Sequence, residues 1–73
     1  MAGHMQDGTV AIIPAYNEEL TVGSIVLLTR PYVERVIVVD DGSIDRTASI
    51  ALEAGAEVLR IERNGGKAKA VLT

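Results

Sequence analysis

The rhythm of apolar and polar positions changes repeatedly along this chain, and each change predicts an element. Thr9 to Pro14 reads Thr-Val-Ala-Ile-Ile-Pro, a short β-branched run closed by a proline, which predicts a buried strand. From Thr21 to Arg30 the spacing becomes helical, with Val22, Ile25, Val26 and Leu28 or Thr29 on one face and Pro31 as a stop. Val36 to Val39 is apolar at every position, the pattern of a strand in a parallel sheet covered on both faces. Asp40-Asp41-Gly42-Ser43 then reads as a turn, with Ser43 placed to cap a helix running to about Ala54 and Gly55 as its C-terminal stop. Val58 to Ile61 predicts a third strand and Asn64-Gly65-Gly66 a second glycine turn. Lys67 to Thr73 predicts the start of a third helix.

The order β-α-β-α-β-α predicts an α/β fold, a Rossmann-like three-stranded parallel sheet with right-handed crossovers. A crossover helix with no following strand reads as the first part of a larger α/β domain, the alternative being a complete mini-domain. Composition sharpens this picture. Of 73 residues 48% are hydrophobic, yet Tyr16 and Tyr32 are the only aromatics, so the core must be built from Val, Ile, Leu and Ala. Ordering that chain costs on the order of 100 kcal/mol at roughly 1.5 kcal/mol per residue, and chains of this size often need a partner or a staple. With no cysteine in the sequence, disulfides and Cys-ligated zinc or iron–sulfur sites are excluded.

The formal net charge of −3 and the lack of a basic stripe argue against nucleic-acid binding. Apolar runs are too short to span a bilayer and the opening residues do not form a secretory signal, so the cytoplasm is the expected compartment. Met-Ala-Gly-His before Met5 reads as a cloning scar over residues 1–4, leaving 5–73 as the domain portion. His4, the one histidine, is set aside with it.

In an open parallel sheet, ligands bind beyond the carboxyl ends of the strands, and the unusual residues collect there. Pro14-Ala15-Tyr16-Asn17-Glu18-Glu19 follows the first strand, Asp40-Asp41-Gly42-Ser43 the second, and Arg63-Asn64-Gly65-Gly66-Lys67 the third. Tyr16 suits stacking on a heteroaromatic base, although a tyrosine packed on the sheet rim fits equally well. Asp40 and Asp41 suit acceptance of a base N–H or ribose hydroxyls, or else an acidic turn favoured by a helix dipole. Gly65-Gly66-Lys67 can offer backbone N–H groups and a cation to a phosphate, or form a plain turn. The spacing fits neither a P-loop nor a G-x-G-x-x-G fingerprint. Adjacent Glu18 and Glu19 diverge by about 100° on a helix and make no catalytic pair. Glu53, Glu57, Arg30, Arg35 and Arg60 read as solubilising charge, and no nucleophile with a paired base is present.

Two stretches together, Ala11-Ile12-Ile13-Pro14-Ala15-Tyr16-Asn17-Glu18-Glu19 and Val36-Ile37-Val38-Val39-Asp40-Asp41-Gly42-Ser43-Ile44-Asp45-Arg46-Thr47, closely resemble the opening of glycosyltransferase family 2, inverting enzymes of GT-A fold that include polyprenyl-phosphate sugar transferases. Asn64-Gly65-Gly66-Lys67-Ala68-Lys69-Ala70 is similar to that family's N-x-G-K-G-x-A element, with Ala68 where glycine is usual. The resemblance implies that Pro14, Ala15, Tyr16 and Glu18 line the nucleotide of a sugar-nucleotide donor and that Asp41, with Asp40 beside it, contacts base or ribose. It places Gly66 and Lys67 near base and diphosphate. It also implies an Asp-x-Asp motif holding Mg²⁺ or Mn²⁺ and a later general base, neither of which occurs in these residues, so no metal ligand or catalytic residue is assigned here.

The resulting expectation is an N-terminal nucleotide-sugar recognition segment, binding UDP- or GDP-sugar weakly and inactive in transfer by itself, from a parent acting on a polyprenyl phosphate or similar acceptor at the cytoplasmic membrane face. A nucleotidyltransferase is disfavoured by the missing glycine-rich loop after the first strand. The alternative is a self-associating half-domain with no activity of its own. The strand order 3-2-1 implied by the resemblance puts both complete helices on one face. The other face is then bare and the strand over residues 9–14 is an open edge, so a homodimer or larger assembly is expected, edge to edge through that strand with the bare faces under exchanged terminal helices.

Overall fold

The computed structural model describes residues 8–64 and 67–72. Strand β1 spans Val10–Ala15 and leads into helix α1, Val22–Thr29, which a single 3₁₀ turn over Arg30–Tyr32 extends and Pro31 ends. Strand β2 covers Arg35–Asp40, helix α2 Thr47–Glu53, strand β3 Glu57–Asn64 and strand β4 Lys67–Leu72. The sheet order is β1-β2-β3-β4, with β1, β2 and β3 parallel and β4 antiparallel to β3. The fold is therefore α/β with a four-stranded, mostly parallel sheet, and its first three strands neighbour one another as expected.

The fourth strand corrects the expected terminal helix. Lys67-Ala68-Lys69-Ala70 alternates with period two before Val71 and Leu72 continue apolar, so this segment fits a strand as well as a helix. Asn64 pairs directly with Lys67 and Leu59 with Leu72. Pairing satisfies the outward backbone groups of β3, which a short helix would have left open. β3 accordingly runs beyond the expected Val58 to Ile61 at both ends.

Both helices pack on one face of the sheet. Val22 and Val26 of α1, one turn apart, meet Ala51 of α2 and Ala15, Val36, Val38 and Val58 of the strands in a single buried cluster. Of the two candidates for the last inward position of α1, Thr29 is half-buried and Leu28 is exposed. Thr29 turns its hydroxyl onto the Ile25 carbonyl at 2.7 Å. Ile12, Ile37, Val39, Leu59 and Ile61 lie on the opposite face and none belongs to the cluster. Ile12 remains 58% exposed. The apolar run of β2 thus does not mean cover on both sides among the described residues.

Helix α2 stops as its sequence predicts. Gly55 adopts φ +105°, its N–H donates to the Leu52 carbonyl at 3.0 Å, and the Ala56 N–H donates to the Ala51 carbonyl at 3.0 Å, the paired bonds of a Schellman end. The Arg30 guanidinium donates to the Ala54 carbonyl at 3.1 Å, and a Cβ on Gly55 would stand 2.9 Å from that guanidinium. Gly55→Ala should therefore destabilise the fold by on the order of 1 kcal/mol, and Gly55→Asn by less, because asparagine tolerates the left-handed region. Urea midpoints of the three proteins check this ranking.

Candidate active site

The carboxyl ends of β1 and β2 carry the two loops that share the resemblance, and most of their polar groups bond to each other. Asn17, at φ +50°, donates its N–H to the Ser43 Oγ at 2.7 Å and accepts the Ile44 N–H on Oδ1 at 3.0 Å. The Glu18 N–H donates to Thr47 Oγ1 at 2.8 Å, and the Glu19 N–H to Asp45 Oδ2 at 3.3 Å. Glu19 in turn accepts the Arg46 N–H on Oε1 at 2.8 Å. The loops are laced in both directions.

Ser43 is the centre of this lacing. It is 1% exposed; its N–H donates to Asp40 Oδ1 at 3.0 Å, its Oγ holds Asn17, and its carbonyl accepts from Arg60 Nη2 at 2.9 Å. The loop after β1, strand β2 and strand β3 all reach this residue. The expected role of Ser43 as a helix cap is corrected by this geometry, since α2 begins only at Thr47. Asp45 takes up the N-terminal work instead. Its Oδ1 accepts both the Thr47 N–H at 2.9 Å and the Thr47 hydroxyl.

The lacing positions a cleft of about 610 Å³ lined by Tyr16, Asp41, Gly42, Arg60 and Glu62. A shallower continuation of about 270 Å³ is lined by Pro14, Ala15, Tyr16, Glu18 and Asp41. Tyr16 and Asp41 stand in both parts, and Tyr16 is exposed. Gly42, at φ +80°, brings the turn against β3, where a Cβ would lie 3.4 Å from the Ile61 carbonyl oxygen. The structure thus brings together Pro14, Ala15, Tyr16, Glu18 and Asp41 as one surface.

Asp40 lies beneath that surface. It is fully buried, with Oδ1 on the Ser43 N–H and Oδ2 without a partner among the described groups. Its place is that of a support for the turn and not of a cleft wall. Gly66 lies outside the described residues, and Lys67 is described by its backbone as the first residue of β4. Two contributors escaped the sequence reading. Asp45 looked like one polar residue among several in a turn, although its spacing to Thr47 matches a helix-start motif. Arg60 looked like surface charge, and only the strand pairing that sets it beside Asp40 brings it to the cleft. No group of three or more metal-ligating side chains occurs among the described residues, and no helix among them is long and apolar enough to cross a membrane.

The electrostatics of the lacing generate a prediction. Partial burial works to raise the Asp45 carboxyl, but the hydrogen bonds from the Thr47 hydroxyl, the Thr47 N–H and the Glu19 N–H outweigh it and hold the group below its ordinary range. A carboxylate lowered in the folded state contributes stability that is full above its unfolded value near pH 4 and is lost as pH falls through the folded value. Asp45→Asn should therefore flatten the acid limb of the stability profile below about pH 4. Thr47→Val, which strands the Glu18 N–H, should cost about 1–3 kcal/mol at neutral pH. Thermal midpoints between pH 2 and 7 measure both.

Comparison with known proteins places this arrangement. The model of glycosyl transferase family 2 matches residues 10–73. The chain is 46% identical over 55 residues to glucosyl-3-phosphoglycerate synthase of Mycolicibacterium smegmatis, covering 70% of this chain and 18% of that protein. It is 37% identical over 62 residues to an uncharacterized protein of Methanocaldococcus jannaschii, covering 84% of this chain and 26% of that one. Among solved structures, glucosyl-3-phosphoglycerate synthase from Mycobacterium tuberculosis in complex with phosphoglyceric acid is similar with a TM-score of 0.67 and 35% identity, over 74% of this chain and 21% of that chain. The chain thus spans about a quarter or less of the length of these relatives. With the family model matching nearly its whole length and the two laced loops carrying the motifs, this chain belongs to glycosyl transferase family 2.

Proposed function

We propose that this chain is the nucleotide-sugar recognition segment of an inverting family 2 glycosyltransferase, and that its cleft holds the nucleoside of a UDP- or GDP-sugar. The supporting observation is the convergence of Tyr16 and Asp41, just past the carboxyl ends of β1 and β2, with Arg60, the β3 residue level with the last residue of β2, at the position where open α/β sheets take ligands. Tyr16 offers an exposed aromatic face for a base. Asp41 accepts N–H or O–H donors, and Pro14, Ala15 and Glu18 extend the wall. Gly66 and Lys67 are assigned the diphosphate on the resemblance. The name of the similar synthase supports a glucosyl donor and a phosphorylated hydroxy acid as the first acceptor to test. Mg²⁺ or Mn²⁺ belongs to the activity of the whole enzyme. The described residues do not assemble a ligand set for it, and no step proposed here runs through a metal.

Titrating UDP and GDP into ¹⁵N-labelled protein tests this function. Amide shifts are expected at residues 14–18, 40–43 and 65–67, with dissociation constants near millimolar, about −4 kcal/mol. Shifts confined to other residues, or none at tens of millimolar nucleotide, reject the site.

A second property follows from Ile12, which stands 58% exposed on a strand whose sequence, Val-Ala-Ile-Ile-Pro-Ala, carries no charge. Such an edge lacks the lysines that usually block strand addition. The proposed occupant of the bare face is a second copy of this chain. The exchange of terminal helices is no longer available, because that segment is β4, and edge pairing alone leaves Ile12, Ile37, Val39 and Leu59 in water. Stacking the face on its copy about a two-fold axis covers them. Four strands of about five residues give a footprint of roughly 300 Å², well below the ~800 Å² per partner of a stable interface. Weak, concentration-dependent dimerisation is therefore expected. Sedimentation should show the average mass rising above that of the 7.7 kDa chain as concentration increases, and Ile12→Lys should abolish the rise with the circular dichroism unchanged. A constant monomer mass throughout rejects it.

A further inference from the structure

Arg60 sits on β3 as the register neighbour of Asp40, and its side chain forms part of the cleft wall with Tyr16, Asp41, Gly42 and Glu62. One of its nitrogens, Nη2, donates to the Ser43 carbonyl at 2.9 Å. A guanidinium carries five N–H donors and no acceptor, and among the described residues that carbonyl is the one hydrogen-bond acceptor found for it. The bond braces the guanidinium in one place. The braced guanidinium lines the same cleft as the exposed ring of Tyr16.

We infer that Arg60 reads the base of the bound nucleotide, donating to a ring carbonyl while Asp41 accepts the neighbouring ring N–H, so that the cleft prefers uracil and guanine to cytosine and adenine. The inference rests on nucleotide binding as proposed above. Its geometry comes from the way the two cleft parts overlap. Asp41 flanks Tyr16 in both parts, whereas Arg60 belongs only to the larger one, further across the sheet on β3. A base stacked on Tyr16 therefore meets Asp41 with its ring nitrogen, and its exocyclic group reaches towards Arg60.

The chemistry of the two walls then selects. An ionised carboxylate only accepts and a guanidinium only donates. Uracil and guanine carry a ring N–H next to a carbonyl, so both walls are satisfied together. Cytosine and adenine carry a bare ring nitrogen next to an amino group. Against the same walls they set a lone pair on Asp41 and a donor on Arg60, two polarity mismatches that leave polar groups unpaired. Specificity of this kind works by penalising the wrong partner as much as by binding the right one.

The test compares UDP, GDP, CDP and ADP on the full chain and on Arg60→Met, which keeps side-chain length and removes every donor, with circular dichroism to verify the fold. Affinities are read from the amide shifts of Tyr16 and Gly42. The wild type should bind UDP and GDP at least tenfold more tightly than CDP and ADP. Arg60→Met also removes the brace on the Ser43 carbonyl, so it should weaken UDP and GDP about tenfold more than CDP and ADP, erasing the preference, and Arg60→Lys, with charge but no fork, should restore part of it. If Arg60 only braced the turn through Ser43, all four nucleotides would weaken together; that result, an unchanged UDP affinity in Arg60→Met, or no preference in the wild type overturns the inference while leaving nucleotide binding intact. Absence of binding by all four nucleotides to the wild type overturns nucleotide binding itself, and the role of Arg60 with it.

Discussion

The bonds made by Ser43 are the constraint on which the candidate site depends. A buried serine must place a backbone N–H, a carbonyl and a hydroxyl, and each unpaired group would cost about 1–3 kcal/mol. Here Asp40, Arg60 and Asn17 take one group each, and they come from β2, β3 and the loop after β1. The turn that carries Asp41 and Gly42 is therefore set relative to three strands at once. A cleft wall held in this way is ordered before any ligand arrives, which lowers the entropy lost on binding.

This arrangement also reassigns part of the family-like motif. Asn17, Glu19, Ser43, Asp45 and Thr47 spend their hydrogen-bonding capacity on one another's loops, and Asp40 is enclosed beneath them. The motif residues that line the cleft are Pro14, Ala15, Tyr16, Glu18, Asp41 and Gly42. The motif thus combines residues that build the rim with residues that face the cleft. Its spacing reflects the first requirement as much as the second, because reciprocal bonds between two loops demand matched positions in both.

The sheet supplies the platform and its own unresolved demand. Both helices lie on one face, where Val26, Val38 and Val58 are fully enclosed. On the other face Ile12, Ile37, Val39, Leu59 and Ile61 have no helix above them among the described residues. Small aliphatic side chains and alanines build the enclosed cluster, so the stabilising area is modest, and whatever covers the second face would add to it substantially. The matched stretch covers 18–26% of the relatives' own length.

The sequence by itself determined the parallel β1, α1, β2, α2, β3 order, the stop at Gly55 and the family. These rest on local signals: hydrophobic period, proline and glycine positions, and two motifs at a fixed spacing. It did not determine the last strand, because Lys67 to Leu72 fits a strand as well as a helix, and the choice falls to the free backbone groups of β3. Nor did it distinguish Asp40 from Asp41, adjacent carboxylates of identical chemistry. Only alternation along β2 sends one inward, to hold Ser43, and leaves the other at the cleft. Arg60 was illegible for the same reason, since 17 residues separate it from Ser43. Pairing of β2 with β3 converts that distance in sequence into a hydrogen bond, and no local pattern encodes a contact that the sheet alone creates.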